Sequence, residues 1–450
     1  MTSSRKHPIY RMVWMSTIIP THSNQNTAPL KRRIFLFSIS MILLIAAASP
    51  IFLRTNSEFD LVFKTYAKLL LQGEDIYHEG SVFMYPPWMA FICIPFNSLP
   101  QWLSRLSWGT INIFFFYLAI DSSWKISKPV FASNKKFGWI AFIIGLICTT
   151  TYFLNCLSHQ QFDVIIAGTI LFGCLQLSKA KDINGGILLG VAAACKLTPL
   201  LFLPYLIYRF RWKATLAFAA GFLFCNFIAD IILGLPPEGK PRPIIFVERF
   251  LAPMTKPDFV PGTWGSEIIY NQSLAGTGKR FTQTHIETKE GKYSVIIEPD
   301  NAKSPKVKPI LMGLVLFGTA MSLFCWGWPG NPSNLNTTGS PQFALEASMI
   351  LCAMLLLSPM SSKAHFGILI LPAFCLARML ESKQKALAIF FLAIPLLMGI
   401  LLNKDLSGAN IYTLLLWVAG VTWSTISLFL GNAILRYFAK QQQTNSQPLD

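Results

Sequence analysis

Charge is what this chain has least of. Charged residues make up 13% of it, about half the roughly 25% of a soluble globular protein. With 53% hydrophobic residues and a mean hydropathy of +0.47, that scarcity excludes an ordinary soluble enzyme and indicates a polytopic membrane protein. Acidic residues are scarcest, 21 against 38 basic ones, for a formal charge of +17. Such an excess serves nucleic acid when it lies on one face or in a tail. Here it falls in short clusters between apolar runs, which argues against a nucleic-acid partner and fits the positive-inside rule. None of the nine cysteines forms a C-x-x-C pair or has zinc spacing. All lie within or at the ends of apolar runs, as small packing residues do. There is no Walker loop, no G-x-G-x-x-G after a strand and no H-E-x-x-H. ATP-driven transport and zinc hydrolysis lose their support with those motifs. No internal repeat is visible, and no metal or cofactor is called for.

What is present is a series of apolar runs. A membrane span needs about 20 apolar residues. The runs predict spans at roughly 34–53, 102–122, 137–155, 161–178, 214–233, 309–328, 342–359, 365–380, 386–402 and 411–437. The expected fold is therefore an all-α polytopic membrane protein with about 10 spanning helices. Three shorter pieces, Trp88–Asn97, Ile183–Cys195 and Pro199–Tyr208, each lie beside a proline. Short, proline-broken helices in a membrane protein line cavities, because lipid cannot satisfy their free backbone groups. Residues 1–30 read as a disordered cytoplasmic tail, 31–437 as one membrane-embedded domain and 438–450 as a second cytoplasmic tail.

The basic clusters set the orientation. Lys31–Arg33, Lys125–Lys136, Lys179/Lys181, Arg209–Lys213, Arg378–Lys385 and Arg436/Lys440 all fall inside on one assignment. It places 54–87, 158–163, the Lys196 hairpin tip, 234–308 and 358–365 outside. The first of these outer stretches follows the first span closely and carries Glu58, Asp60, Glu74, Asp75 and Glu79. Asp60 is the leading candidate for a general base at the membrane boundary, with Glu58 its nearest competitor. A helix cap or solvated loop charge is the plainer account. Lys196 sits in apolar Ala192–Pro199, where an ionisable residue is a functional candidate. It suits an anionic group such as phosphate, or else snorkels to the interface. His365 opens an apolar run after Ser358–Ala364, and Arg280 closes NQSLAGTGKR, a polar stretch able to wrap a ligand. His159–Asp163 offers groups of the kind that grip sugar hydroxyls.

In this order these segments resemble the integral-membrane glycosyltransferases of family 87, of the GT-C type. The resembling parts are Asp60, Gly73 to Tyr77, Tyr85-Pro86-Pro87, Pro95 to Pro100 and Gln161-Phe162-Asp163. They continue with Gly190, Lys196-Leu197-Thr198-Pro199, Asn271-Gln272-Ser273-Leu274, Gly276, Arg280, Ser358-Pro359 and His365, over roughly 55–380. Three positions depart from the pattern. Gln160 stands where glycine is usual, Asp163 where asparagine is, and Phe366 where more polar character is expected.

The resemblance implies a GT-C-like bundle whose outer loops form the active site. It implies inverting transfer of a sugar, mannose-like or another hexose or pentose, from a polyprenyl-phosphate donor to an envelope glycan or glycolipid. Asp60 would be the catalytic base. Lys196, Arg280 and His365 would bind the donor phosphate, and Gln161, Asn271, Gln272 and Tyr85 the sugar or acceptor. The setting would be the outer face of a bacterial plasma membrane, among membrane lipids. A transporter or flippase of a lipid-linked sugar would use a similar cavity without chemistry. Residues 282–308 read as an insertion with some strand character.

Overall fold

The computed structural model describes residues 41–42, 44–45, 48–131, 135–252, 269–289, 291–297 and 340–444. The expected span 309–328 and Cys325 lie outside the described residues. Before Ala48 the chain forms a separate unit, helical at Met41, Ile42, Leu44 and Ile45. The elements below belong to the unit that begins at Ala48.

A π-helical turn, Phe59–Lys64, runs into α1 (Thr65–Leu71), and two prolines then start α2 (Pro87–Phe91). The long helices α3 (Gln101–Ser127) and α4 (Lys135–His159) follow. Next come α5 (Asp163–Ser178), α6 (Asp182–Cys195), a 3-10 turn Thr198–Leu201, α7 (Phe202–Tyr208) and α8 (Trp212–Leu233). The two short helices expected on either side of the KLTP stretch are α6 and α7, and Lys196 sits at the break between them in extended backbone. Gly186 and Gly190 let α6 lie against α8, since a Cβ at either would collide with the carbonyls of Ala214 or Phe218. Close backbone approach through small residues is how membrane helices pack without a hydrophobic driving force.

The segment 234–297 carries α9 (Arg242–Phe246), α10 (Leu274–Gln283) and one antiparallel hairpin of β1 (Thr284–Lys289) and β2 (Lys292–Ile297). That hairpin is the strand character of the insertion. The chain resumes with α11 (Pro341–Leu357), a 3-10 turn Lys363–Leu369, α12 (Ile370–Arg378) and α13 (Lys385–Leu401). It ends with α14 (Lys404–Trp417) and α15 (Gly420–Thr444).

Among the described residues, four helices are long and apolar enough to cross a membrane, or five if a bent pair counts as one. They are Gln101–Ser127, Phe137–His159, Trp212–Leu233 and Lys363–Glu381. Others of the expected spans are shorter here, Asp163–Ser178 and Pro341–Leu357 among them. The run 411–437 is not one helix, because Ala419 takes a left-handed φ of 62° and separates α14 from α15. Hydropathy registers no difference across that break. The bent pair is α13 and α14, turned by 113°. The last helix continues to Thr444, past the expected boundary at 437.

Residues read as lying on the inner side meet one another. Glu346, fully buried, receives Arg209, Arg436 at 2.8 Å and the Tyr205 hydroxyl at 2.9 Å. Arg378 donates to Ser127 at 2.8 Å and stacks on Trp124. The eight described cysteines are free and buried, as packing residues should be.

Candidate active site

The site begins at the turn between α4 and α5. Gln160 there has φ 56°, a left-handed backbone that costs an L-residue about 1–2 kcal/mol and glycine almost nothing. This explains why glycine suits the position. Gln160 is held by its amide, which donates to the carbonyls of Ile51 and Phe52 at 3.0 Å each, while Trp108 donates to its backbone oxygen at 2.9 Å. The turn presents Gln161 and Asp163, both buried, at the start of α5. A carboxylate in a helix's first turn is favoured by the free N–H groups there.

Asp163 is the centre of the cluster. The Lys196 ammonium donates to its Oδ1 at 2.7 Å, and His365 Nε2 stands 3.6 Å from Oδ2. His365 is oriented by a capping box: the Ser362 backbone N–H donates to its Nδ1 at 3.2 Å. Because Nδ1 accepts there, the proton of the neutral ring sits on Nε2 and faces Asp163. One of the three Lys196 N–H donors is used by Asp163; the other two have no partner among the described residues. Gln161 Nε2 donates to Glu58 at 2.6 Å, and Gln161 Oε1 is buried with no partner among the described residues. Burial raises the Glu58 carboxyl above its usual range, Gln161 partly offsets this, and nearby Asp163 raises it further. Burial also holds the Tyr85 phenol protonated, helped by the charges of Asp163 and Glu58. The Tyr85 ring packs on Phe63, which packs on Phe162 between Gln161 and Asp163.

Asp60 faces another way. Its Oδ2 accepts from Arg105 Nε at 2.9 Å and from the Ser57 hydroxyl at 3.3 Å. Its Oδ1 has no partner among the described residues. Arg105 was not among the residues singled out from sequence, although a lone cation in QWLSRLSWGT is the kind of intramembrane charge that marks a site. Among the described residues no three His, Cys, Asp or Glu side chains gather as metal ligands.

The model of glycosyltransferase family 87 matches residues 83–359. The chain belongs to that family. It is an integral membrane glycosyltransferase, and family membership decides for transfer over transport. Comparison with curated proteins gives no match. A solved structure, ArnT from Cupriavidus metallidurans in the apo state, is similar at 11% identity and a TM-score of 0.36, over 90% of this chain and 77% of that one. A likeness that loose carries no argument.

The family match takes in Tyr85, Gln161, Lys196, Asn271, Gln272 and Arg280, while Glu58, Asp60 and His365 fall outside it. Of the expected residues, the structure brings Lys196 and His365 together at Asp163 and Gln161 against Glu58, and Tyr85 reaches this turn through Phe63 and Phe162. Asn271, Gln272 and Arg280 belong to a second network. Asn271 Oδ1 accepts from the Ser361 N–H and its Nδ2 donates to the Pro359 carbonyl, each at 3.1 Å. The Gln272 N–H donates to the Ser361 carbonyl at 2.7 Å. Arg280, fully buried, donates to the carbonyls of Trp417 at 2.9 Å and Asn271 at 2.8 Å. Burial lowers its guanidinium to about 10. This network fixes Ser361, the residue next to the Ser362 cap of His365. It acts on the cluster through the backbone.

Proposed function

We infer that the enzyme transfers a sugar, mannose-like, from a polyprenyl-phosphate donor to a glycan or glycolipid of the bacterial envelope, with inversion. The chemistry takes place at the outer face of the plasma membrane. The observation that carries this reading is the pair of unpartnered N–H donors on Lys196, beside the Nε2–H of His365. They mark a seat for an anion. The donor phosphate enters laterally and takes those donors. Asp163, already between Lys196 and His365, keeps both oriented when the donor is absent.

The acceptor hydroxyl gives its proton to the open Oδ1 of Asp60 as its oxygen attacks the anomeric carbon. The bond from that carbon to the phosphate oxygen breaks, and its electron pair leaves with the polyprenyl phosphate. Fixed donors at the developing charge contribute several kcal/mol where water is excluded. Arg105 holds Asp60 in place. Gln161 Oε1 supplies an acceptor for a sugar hydroxyl, and the Tyr85 phenol supplies a donor to the same sugar or to the acceptor. Asn271, Gln272 and Arg280 serve this reading as supports of the His365 loop. Glu58 is the alternative base, favoured by its place against Gln161 and Asp163.

The test is donor affinity. Lys196→Ala should raise the KM for decaprenyl-phosphate mannose about ten- to hundredfold, the range of hydrogen bonds to a charged group. Lys196→Arg should keep part of the affinity, since its charge remains and its shape differs. Parent-like donor KM in both variants would reduce Lys196 to an interfacial anchor.

A further inference from the structure

The loop between Asp60 and Tyr85 builds more than the candidate site. A cavity of about 580 Å³ opens between residues 75–83 and Arg249-Phe250. That volume lies within the range of small-ligand sites, about 300–1,000 Å³. Its walls are held from several sides. Arg249 pairs with Asp75 and Glu238 and donates to the Tyr77 carbonyl at 2.8 Å. The Tyr77 N–H donates to Asp75 at 2.8 Å, and its hydroxyl donates to the Tyr85 carbonyl at 2.9 Å. The last bond joins the cavity wall directly to Tyr85.

Two groups in the cavity remain for a ligand. The exposed Glu79 carboxylate has no partner among the described residues. His78 Nδ1 lies 2.9 Å from the Glu79 carbonyl, which can only accept, so Nδ1 carries the proton and Nε2 is an acceptor. Phe83 and the half-buried Phe250 add ring surface. Carboxylate and imidazole acceptors beside aromatic rings suit a ligand rich in hydroxyl donors. The same carboxylates repel a phosphate, which Lys196 and His365 attract.

We propose that this cavity holds the acceptor saccharide, in the units behind the hydroxyl that reacts. The proposal rests on the transferase reading above and names the place of its second substrate. Helix geometry supports it. Tyr66, whose ring stacks on Phe83 at 4.9 Å and on His78 at 6.3 Å, stands at most ~9 Å further along the helical run than Asp60, the α-helical rise of ~1.5 Å per residue being the upper bound across the π-helical turn. An acceptor of two or more sugar units spans that separation, and a single sugar does not.

The experiment compares octyl α-mannoside with octyl α-1,6-dimannoside as acceptors, using purified chain in nanodiscs and decaprenyl-phosphate mannose. The parent should show a KM about tenfold lower for the dimannoside, the scale of a hydrogen bond to a charged group. The double variant Glu79→Ala, His78→Ala, altering exposed residues, should lose that preference with kcat and donor KM unchanged. A preference retained in full by the variant, or absent from an active parent, would overturn the proposal. If the parent transfers to neither acceptor, the mannosyl-transfer reading fails separately. Saturation-transfer NMR of the dimannoside then decides for the cavity. Signal in the parent and none in the double variant supports it; equal signal or none in both overturns it.

Discussion

At Glu58 a half-buried carboxylate and its single hydrogen-bond donor set a sign that can be measured. Burial raises its folded-state value above 4.5, so the folded protein holds that proton more tightly than the unfolded chain does. The contribution to stability is present below about pH 4.5 and is lost as pH rises through the raised value. Glu58→Gln keeps an acceptor for Gln161 and removes the charge. Its melting temperature relative to the parent should therefore climb between pH 4 and pH 7, measured by thermal unfolding in detergent. A difference that stays constant with pH would show that Glu58 does not titrate in a buried setting. Lys196 and His365 stood out in the sequence because each is a polar residue in an apolar neighbourhood, and the family pattern gave them roles. Asp163 was read as one of the polar groups of His159–Asp163 and as a departure from that pattern, and its place between Lys196 and His365 was not legible. Which of Glu58 and Asp60 faces the cluster was not legible, since one residue of separation decides faces only once the π-helical turn at Phe59–Lys64 is known.

The elements explain why residues far apart act together. The Asn271–Arg280 segment closes on Pro359 and Ser361 through side-chain and backbone hydrogen bonds, and so fixes the turn that aims His365. Asn271→Ala removes both side-chain bonds to that turn. Turnover should fall roughly tenfold or more, as misplacement of about 1 Å does, while donor KM changes much less. A larger change in donor KM than in kcat would place Asn271 against the substrate instead. The α6–α8 contact tests the packing. Gly190→Leu forces a side chain into the Phe218 carbonyl, and overpacking of this kind costs about 1–3 kcal/mol. It should appear as a lower melting temperature in detergent. The break between α6 and α7 was legible because Pro199 and the short apolar runs announce it. The break between α14 and α15 was not, since Val418-Ala419-Gly420 looks no different from helix in hydropathy.

For the whole molecule, the account requires two faces of opposite character. Arg209 and Arg436, read as inner from sequence, meet at Glu346, and Arg378 lies on Trp124, while Lys196 and His365 meet at Asp163. Cysteine placed at exposed position 79 should react with an impermeant reagent from outside, and at position 125 from inside. The reverse pattern would overturn the orientation and the outer-face chemistry with it. The measurement closest to the central claim is sugar transfer by the purified enzyme from decaprenyl-phosphate mannose, with donor binding read in parallel. The parent should transfer. Asp60→Asn keeps the size and the hydrogen bond but cannot take the proton, so it should bind donor normally and lose about 10²–10⁴ in rate. Glu58→Gln should keep most of the rate. Full activity in Asp60→Asn with the loss appearing in Glu58→Gln would move the base to Glu58, and no transfer by the parent across a panel of polyprenyl-phosphate donors and acceptors would contradict the account.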